Sequence, residues 1–391
     1  MKWFHTADWH LGKLVQGVYM TEDQRYVLEQ LIADIERERP DAVIIAGDLY
    51  DRAIPPIDAV ELLDEVLQHI VIKLETPVLA VSGNHDSPDR IDFGTAMMAS
   101  RGLHIAGRMK REQKPVILRD EHGEVHFHLV PYADPAYVRY VLDDESIRTH
   151  DDAMKALTDR LRDQLDPAAR HVFVGHAFVT ATGEAEPNTS DSERPLAIGG
   201  AEHVRAGYFA PFHYTALGHL HQAHNVSDDK IRYAGSPLKY SVSEEHHAKG
   251  YYVVEMDDKG AVAVEKRLFQ PLRDLRRVSG TIEQIEQHAM SEDYVFVTLL
   301  NENPVLFPME KVRAIYPNAL HVERRPEAVL LAEAEAFAEG AIEAAGRREA
   351  DPVALFASFY QEVKGSPLSE SKRQRFADVF GRLLHEEGGG A

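Results

Sequence analysis

Short apolar runs alternate with longer amphipathic stretches along most of this chain. Trp3 to Thr6, Ala42 to Ala46, Val78 to Val81, His171 to Val174 and Tyr214 to Leu217 are rich in β-branched and aromatic residues, the pattern of buried strands. Thr21 to Glu38 and Asp58 to Leu74 repeat their apolar positions at the helical period instead. The alternation predicts one large α/β domain over residues 1–271. After Pro271 the pattern becomes strand (Arg276 to Ser279), helix (Ile282 to Met290), strand (Tyr294 to Leu300), helix (Pro308 to Tyr316) and strand (Ala319 to Glu323). Residues 272–326 therefore read as a second, smaller α/β domain. Residues 327–391 read as helical, with Gly346 and Asp351-Pro352 marking a break. Two amphipathic helices close the chain, one carrying Val353, Phe356, Phe359, Tyr360 and Val363 on a face, the other Phe376, Val379, Phe380, Leu383 and Leu384. Helices this short bury little alone.

Each of the five strand-like runs is followed by a polar motif: Asp8-Trp9-His10, Gly47-Asp48-Leu49-Tyr50-Asp51, Gly83-Asn84-His85-Asp86, Gly175-His176 and Gly218-His219-Leu220-His221. In α/β folds ligands gather outside the carboxyl ends of strands, so motifs far apart in sequence can converge on one site. Their residue types are those of a two-metal phosphoesterase, in which a pair of ions activates water and neutralises charge on a phosphodiester. One carboxylate must bridge the ions, and Asp48 is the best candidate. Asp8 and His10 would serve one metal and Asn84 the other, with His176, His219 and His221 completing both spheres. His219 and His221 lie two apart and face the same side of an extended backbone. An all-N/O donor set suits Mn²⁺, with Mg²⁺ or Fe as alternatives. His85 should point toward substrate as the catalytic acid or charge stabiliser, with Asp86 holding one ring nitrogen and fixing its tautomer. Asp51 reads as an orienting residue. Any one of these motifs alone is most often a turn; five in series, each after a strand, is the signal. The same motifs also serve small-molecule phosphodiesterases, and that rival stays open.

Composition narrows the partners. The 391 residues carry a formal net charge of −21, which opposes a general attraction to nucleic acid, so any DNA partner must be drawn by metals, local patches or another subunit. The absence of cysteine excludes disulfides, thiolate metal sites and a cysteine nucleophile. No apolar run approaches the ~20 residues that span a bilayer, and the expected location is the cytoplasm. The polar stretch from Thr180 to Gly200 is too long for an ordinary connection. It follows His176, which makes it either a loop beside the site or a tolerated surface insertion.

With His5-Thr6-Ala7-Asp8-Trp9-His10-Leu11-Gly12, Ala46 to Asp51, Ser82 to Ser87, and Ala216 to His221 followed by Tyr233-Ala234-Gly235-Ser236-Pro237, the chain resembles the calcineurin-like metallophosphoesterase superfamily. Within it, the chain is similar to the nuclease subunits of bacterial SbcCD complexes. The resemblance covers the whole chain, most strongly to about residue 270. It implies a four-layer α/β sandwich, with residues 272–326 as a small α/β capping domain and 327–391 as helices that dock on SbcC, a coiled-coil ATPase. It further implies a homodimer associated with the nucleoid, acting on double-stranded DNA ends and hairpins with Mn²⁺, the ATP being used by the partner. By the same resemblance Asp8, His10, Asp48 and His221 hold one metal, Asp48, Asn84, His176 and His219 hold the other, and His85 is catalytic.

Overall fold

The apolar runs form strands because each is covered on both sides. The computed structural model describes residues 1–184, 190–193, 202–326, 369 and 372–376. In chain order β1 (Lys2–Thr6), α1 (Thr21–Glu38), β2 (Ala42–Ala46), α2 (Ile57–Gln68), β3 (Val78–Val81) and β4 (Leu103–Ala106) come first. The four strands pair in parallel, with Phe4, Val43, Val78 and Leu103 in line across the sheet. That row packs with Val27, Leu28 and Leu31 of α1 and Leu62 and Leu63 of α2, while the alternate residues Trp3, Ile44 and Leu79 turn to the opposite face. α1 ends where Arg39 takes a left-handed conformation ahead of Pro40. The helix expected over Asp58 to Leu74 is α-helical to Gln68 and continues as a π-helical turn, His69–Lys73, which keeps Ile70 and Val71 buried.

A second sheet follows. It comprises β5 (Val116–Asp120) and β6 (Gly123–Val130), then, after α3 (Pro135–Leu142) and α4 (His150–Arg162), β7 (Arg170–His176), β8 (Tyr214–Gly218), β9 (His224–Val226) and β10 (Asp228–Tyr233). Its order is β9-β10-β8-β7-β6-β5, with β6, β7 and β8 parallel neighbours. The chain then returns to the first sheet with β11 (Gly250–Met256) and β12 (Val262–Leu268), giving the order β12-β11-β1-β2-β3-β4. Phe127, Val172, Val174 and Tyr214 of the second sheet meet Trp3, Ile44 and Leu79 of the first in the central core. There Trp3 stands edge-on to Phe127 and Tyr214 at 5.7 Å. On the outer face Phe173, Phe209 and Phe212 pack with Met154 of α4. The layers run helix, sheet, sheet, helix.

The small sheet consists of β13 (Leu275–Gly280), β14 (Tyr294–Leu299) and β15 (Ala319–Arg324), with β14 central. The helix expected over Ile282 to Met290 is a single α-helical turn, Ile282–Ile285, capped by Thr281 and Gln284. Only Ile282 and Ile285 are buried in that stretch, so further turns would have no core to cover. The sheet is tied to α1 by Arg273, whose guanidinium bonds both oxygens of the buried Asp23 at 3.0 Å; the Tyr294 hydroxyl donates to the same carboxylate at 2.9 Å. By its contacts, Met1–Thr298 with Leu306–Glu323 is one unit, so most of this sheet is continuous with the α/β body. The helical stretch expected after Pro326, including the first terminal amphipathic helix, lies outside the described residues, apart from Ser369 and the short helical segment at 372–376.

Candidate metal centre

The five motifs leave the carboxyl ends of β1, β2, β3, β7 and β8, where the two sheets approach each other. Beyond β1 and β2 the backbone keeps pairing: Asp8 N–H donates to the Gly47 carbonyl, His10 to Asp48 and Leu11 to Leu49, at 3.0, 2.9 and 3.0 Å. Asp8, His10 and Asp48 all take left-handed backbone angles (φ 53°, 47° and 50°), and His219 has φ 110°. Such angles cost an L-residue about 1–2 kcal/mol, and persist only where the surroundings fix them. The restraint at His10 is Gln24 of α1, fully buried, whose amide donates to the carbonyls of Trp9 and His10 (3.1 and 2.8 Å) while its oxygen accepts from Gly12 N–H at 3.1 Å. The Tyr240 hydroxyl donates to the Trp9 carbonyl as well. Two glycines allow the close approach: a Cβ on Gly83 would lie 2.1 Å from Asp48 Oδ1, and one on Gly218 would lie 1.9 Å from the Ala46 carbonyl.

Within this frame Asp48 Oδ1 accepts from His85 N–H at 2.9 Å, which leaves Oδ2 3.5 Å from both His10 Nε2 and His176 Nε2. On one side His10 Nε2 faces His221 Nε2 at 3.0 Å. On the other, Asn84 Oδ1 lies 2.9 Å from His176 Nε2 and 3.2 Å from His219 Nδ1. Asp8 Oδ1 accepts from His219 N–H. Its Oδ2 is buried with no hydrogen-bond partner. Asp8, Asp48 and His176 bring ligand atoms within 4.8 Å of one another, and so do His10, Asp51 and His85.

The electrostatics fit a cation. Burial pushes the Asp8 carboxyl well above the usual range, with the Asp48 charge adding to it, and burial raises Asp48 too. Burial lowers His10, His219 and His221, and takes His176 down to about 4. The imidazoles are thus neutral near pH 7 with lone pairs to give, around two carboxylates that are costly to bury without positive charge. The second nitrogens are largely accounted for, since His176 Nδ1 donates to the Ala46 carbonyl at 3.0 Å and His221 Nδ1 to Glu244 Oε1 at 3.0 Å. The orphaned Asp8 oxygen, the facing imidazole nitrogens and this neutral-histidine, buried-carboxylate donor set fit divalent metal ions.

Asp86 corrects one expectation. It does not hold the His85 ring: its carboxylate accepts the backbone N–H groups of Leu49, Tyr50 and Gly83 at 3.1, 2.9 and 2.9 Å, because the tight turn after Gly83 folds it back over the β2 end. Burial, with the Asp48 charge adding, raises it to about 7. The His85 tautomer is set instead by the Asp51 carbonyl, which accepts from Nδ1 at 2.8 Å. The Asp51 carboxylate stands 3.6 Å from His10 Nδ1 and 2.8 Å from Lys13 Nζ. Several residues here carry no motif to announce them. Gln24 comes from the first turn of α1, and Glu244 and Lys249 from a charged loop. Ser192 and Glu193, in the Thr180 to Gly200 stretch, reach His221 through Oγ to Nδ1 at 2.7 Å and Oε1 to N–H at 2.6 Å. That part of the stretch is a loop beside the site. His126 and His128 lie elsewhere, buried on β6, with His128 Nε2 3.1 Å from His171 Nδ1.

Comparison with known proteins gives the family. A family model described as calcineurin-like phosphoesterase matches residues 1–222, and one described as type 5 capsule protein repressor C-terminal domain matches residues 271–364. The D subunit of the SbcCD nuclease from Staphylococcus epidermidis is 32% identical over 392 residues, covering 99% of this chain and 100% of that protein. Among solved structures, a dimetal phosphatase from Danio rerio is 12% identical, covers 68% of this chain and 96% of its own, and has a TM-score of 0.40. A 5'-nucleotidase precursor from Thermus thermophilus is 12% identical over 69% of this chain and 54% of its own, at a TM-score of 0.32. With the matched model spanning more than half of the sequence and a relative aligned end to end, the chain belongs to the calcineurin-like phosphoesterase family, on the branch of the SbcCD nuclease subunits.

Proposed function

We propose that this chain is a DNA nuclease subunit that hydrolyses phosphodiesters with two Mn²⁺ ions, working with an SbcC-type ATPase on double-stranded ends and hairpins. The observation that carries the reading is Asp48, whose Oδ2 stands equidistant between His10 and His176. Asp8, His10, Asp48 and His221 would hold one ion, and Asp48, Asn84, His176 and His219 the other. When bound, the ions supply charge neutralisation at phosphate oxygens and a water activated for in-line attack. The chain's own part is orientation and proton transfer. With Nδ1 committed to the Asp51 carbonyl, His85 has Nε2 left to trade a proton with the leaving oxygen. Asp86 acts indirectly, by clamping the turns that carry Asp48 and His85.

The relative's name and its end-to-end alignment support the SbcC partnership and a location with DNA in the cytoplasm; no helix among the described residues is long and apolar enough to cross a membrane. An apolar groove of about 620 Å³ lined by Val60, Leu67, Ile72, Phe93 and Met97 supports a homodimer, because Phe93 and Met97 are 82% and 73% exposed in the single chain. Residues 327–391 are assigned to SbcC docking; deletion after Pro326 should abolish SbcC binding and spare metal-dependent cleavage.

The test is hydrolysis of an end-labelled duplex by the purified chain with Mn²⁺, with and without SbcC and ATP, beside bis-p-nitrophenyl phosphate. Duplex cutting stimulated by SbcC and ATP is expected. Turnover of the small ester alone would make the protein a small-molecule phosphodiesterase instead.

A further inference from the structure

His221 is held at three points besides its metal-facing nitrogen. Its N–H donates to Glu193 Oε1 (2.6 Å), its carbonyl accepts from Lys249 Nζ (2.9 Å), and its Nδ1 faces Glu244 Oε1 (3.0 Å) and Ser192 Oγ (2.7 Å). Only Nε2 is left, directed at His10 Nε2. Glu244 is fully buried, and its other oxygen is 2.5 Å from Lys249 Nζ, whose side chain is 8% exposed and also bonds Ser236 Oγ at 2.8 Å. Ser190 and Ser192 donate their hydroxyls to the same Glu244 oxygen that faces His221. A carboxylate and an ammonium taken out of water together are costly, and an apolar pair of similar volume would be at least as stable. Packing alone does not explain them.

We propose that Glu244 and Lys249 are the positioning pair of the metal centre. Glu244 holds the Nδ1 proton of His221, so that Nε2 presents its lone pair to the ion shared with Asp8, His10 and Asp48. Lys249 holds Glu244 and the His221 carbonyl in register. The contrast with His176 gives the pair a consequence. His176 Nδ1 rests on a neutral carbonyl, that of Ala46, whereas a carboxylate partner makes an imidazole a more basic ligand. The two metal positions are therefore unequal, and the one at His221 depends on a charge supplied from the 244–249 segment. This role rests on the two-metal reading above.

The experiment titrates Mn²⁺ into metal-free wild type, Glu244→Gln and the double variant Glu244→Gln/Lys249→Met, by calorimetry and by electron paramagnetic resonance, with melting curves of each metal-free protein. The double variant removes both charges together, so its fold should be kept. Wild type should take up two ions and give a spin-coupled spectrum. In both variants one ion should bind roughly 10–100-fold more weakly, with the coupled spectrum replaced at stoichiometric metal by that of an isolated ion, and the second affinity unchanged. Wild-type affinities in both variants would overturn the positioning role and leave the two-metal reading standing. Collapse of both metal-free variants would show the pair to be purely structural and overturn it too. A wild type that binds fewer than two ions would remove the reading and the role together.

Discussion

Asp48 shows how tightly the centre is specified at single positions: one oxygen is fixed by the His85 backbone, the other faces His10 Nε2 and His176 Nε2 at 3.5 Å, and Gly83 lies against the carboxylate. Gly83→Ala should therefore displace the Asp48 carboxylate together with the backbone that carries it, since the added Cβ would also lie 2.5 Å from Asp48 N. A shift of about 1 Å at a reacting group costs on the order of 10²-fold in rate, and a fall of at least that size in kcat/KM with a lowered melting temperature is the expected result. On the proposed two-metal reading, His85→Ala should keep its divalent metal and lose about 10²–10⁴-fold in turnover; unchanged turnover at full metal content would remove His85 from the chemistry. The residues named by motif were legible because a short strand followed by Gly-Asp or Gly-His is a local pattern. Asp86 was legible as part of the site but not in its role, since its partners are the backbone of the turn after β2 and that of Gly83. Gln24, Glu193, Glu244 and Lys249 were not legible at all. Their contacts are made across up to 28 residues to His221, or from a helix onto a loop, and nothing in sequence spacing encodes such meetings.

Among the elements, strands buried on both faces were the most readable. β2 and β3 have the predicted bounds because an unbroken apolar run can only be covered from both sides. Helix ends were less readable, as the π-helical turn after α2 and the single turn at Ile282 show, because tertiary burial decides how far a helix continues. Edges of the second sheet are fastened by charge. Arg170 at the start of β7 grips Asp120 at the end of β5, Nη1 to Oδ2 at 3.0 Å and Nη2 to Oδ1 at 2.5 Å, and this holds the Asp120 carboxyl well below the usual range. A carboxyl depressed in the folded state stabilises above its unfolded pKa of about 3.9, and that contribution fades as pH falls through the lower folded value. Asp120→Asn should accordingly cost about 2 kcal/mol at pH 7. In urea unfolding of the chelated protein the gap to wild type should narrow steadily below about pH 4; a gap independent of pH would mean the pair does not act through charge.

For the whole molecule, the charge of −21 sets how DNA can be held. A chain this acidic neutralises few phosphates itself, so its own binding should show a shallow dependence on log salt, steepening when SbcC is added; equal slopes would mean the basic contacts lie on this chain. The groove at Phe93 bears on the proposed homodimer: on that reading Phe93→Glu should shift sedimentation to the monomer while leaving metal uptake intact. The centre itself is spread over the sequence, with His10 facing His221 and Asp8 bonding His219, each pair 211 residues apart. During synthesis the first candidate ligands emerge long before the last, and His219 and His221 become available only when β8 has been made and laid beside β7. A site that draws on both ends of that span is incomplete while the first half of the chain leaves the ribosome, and it is assembled only as the fold closes.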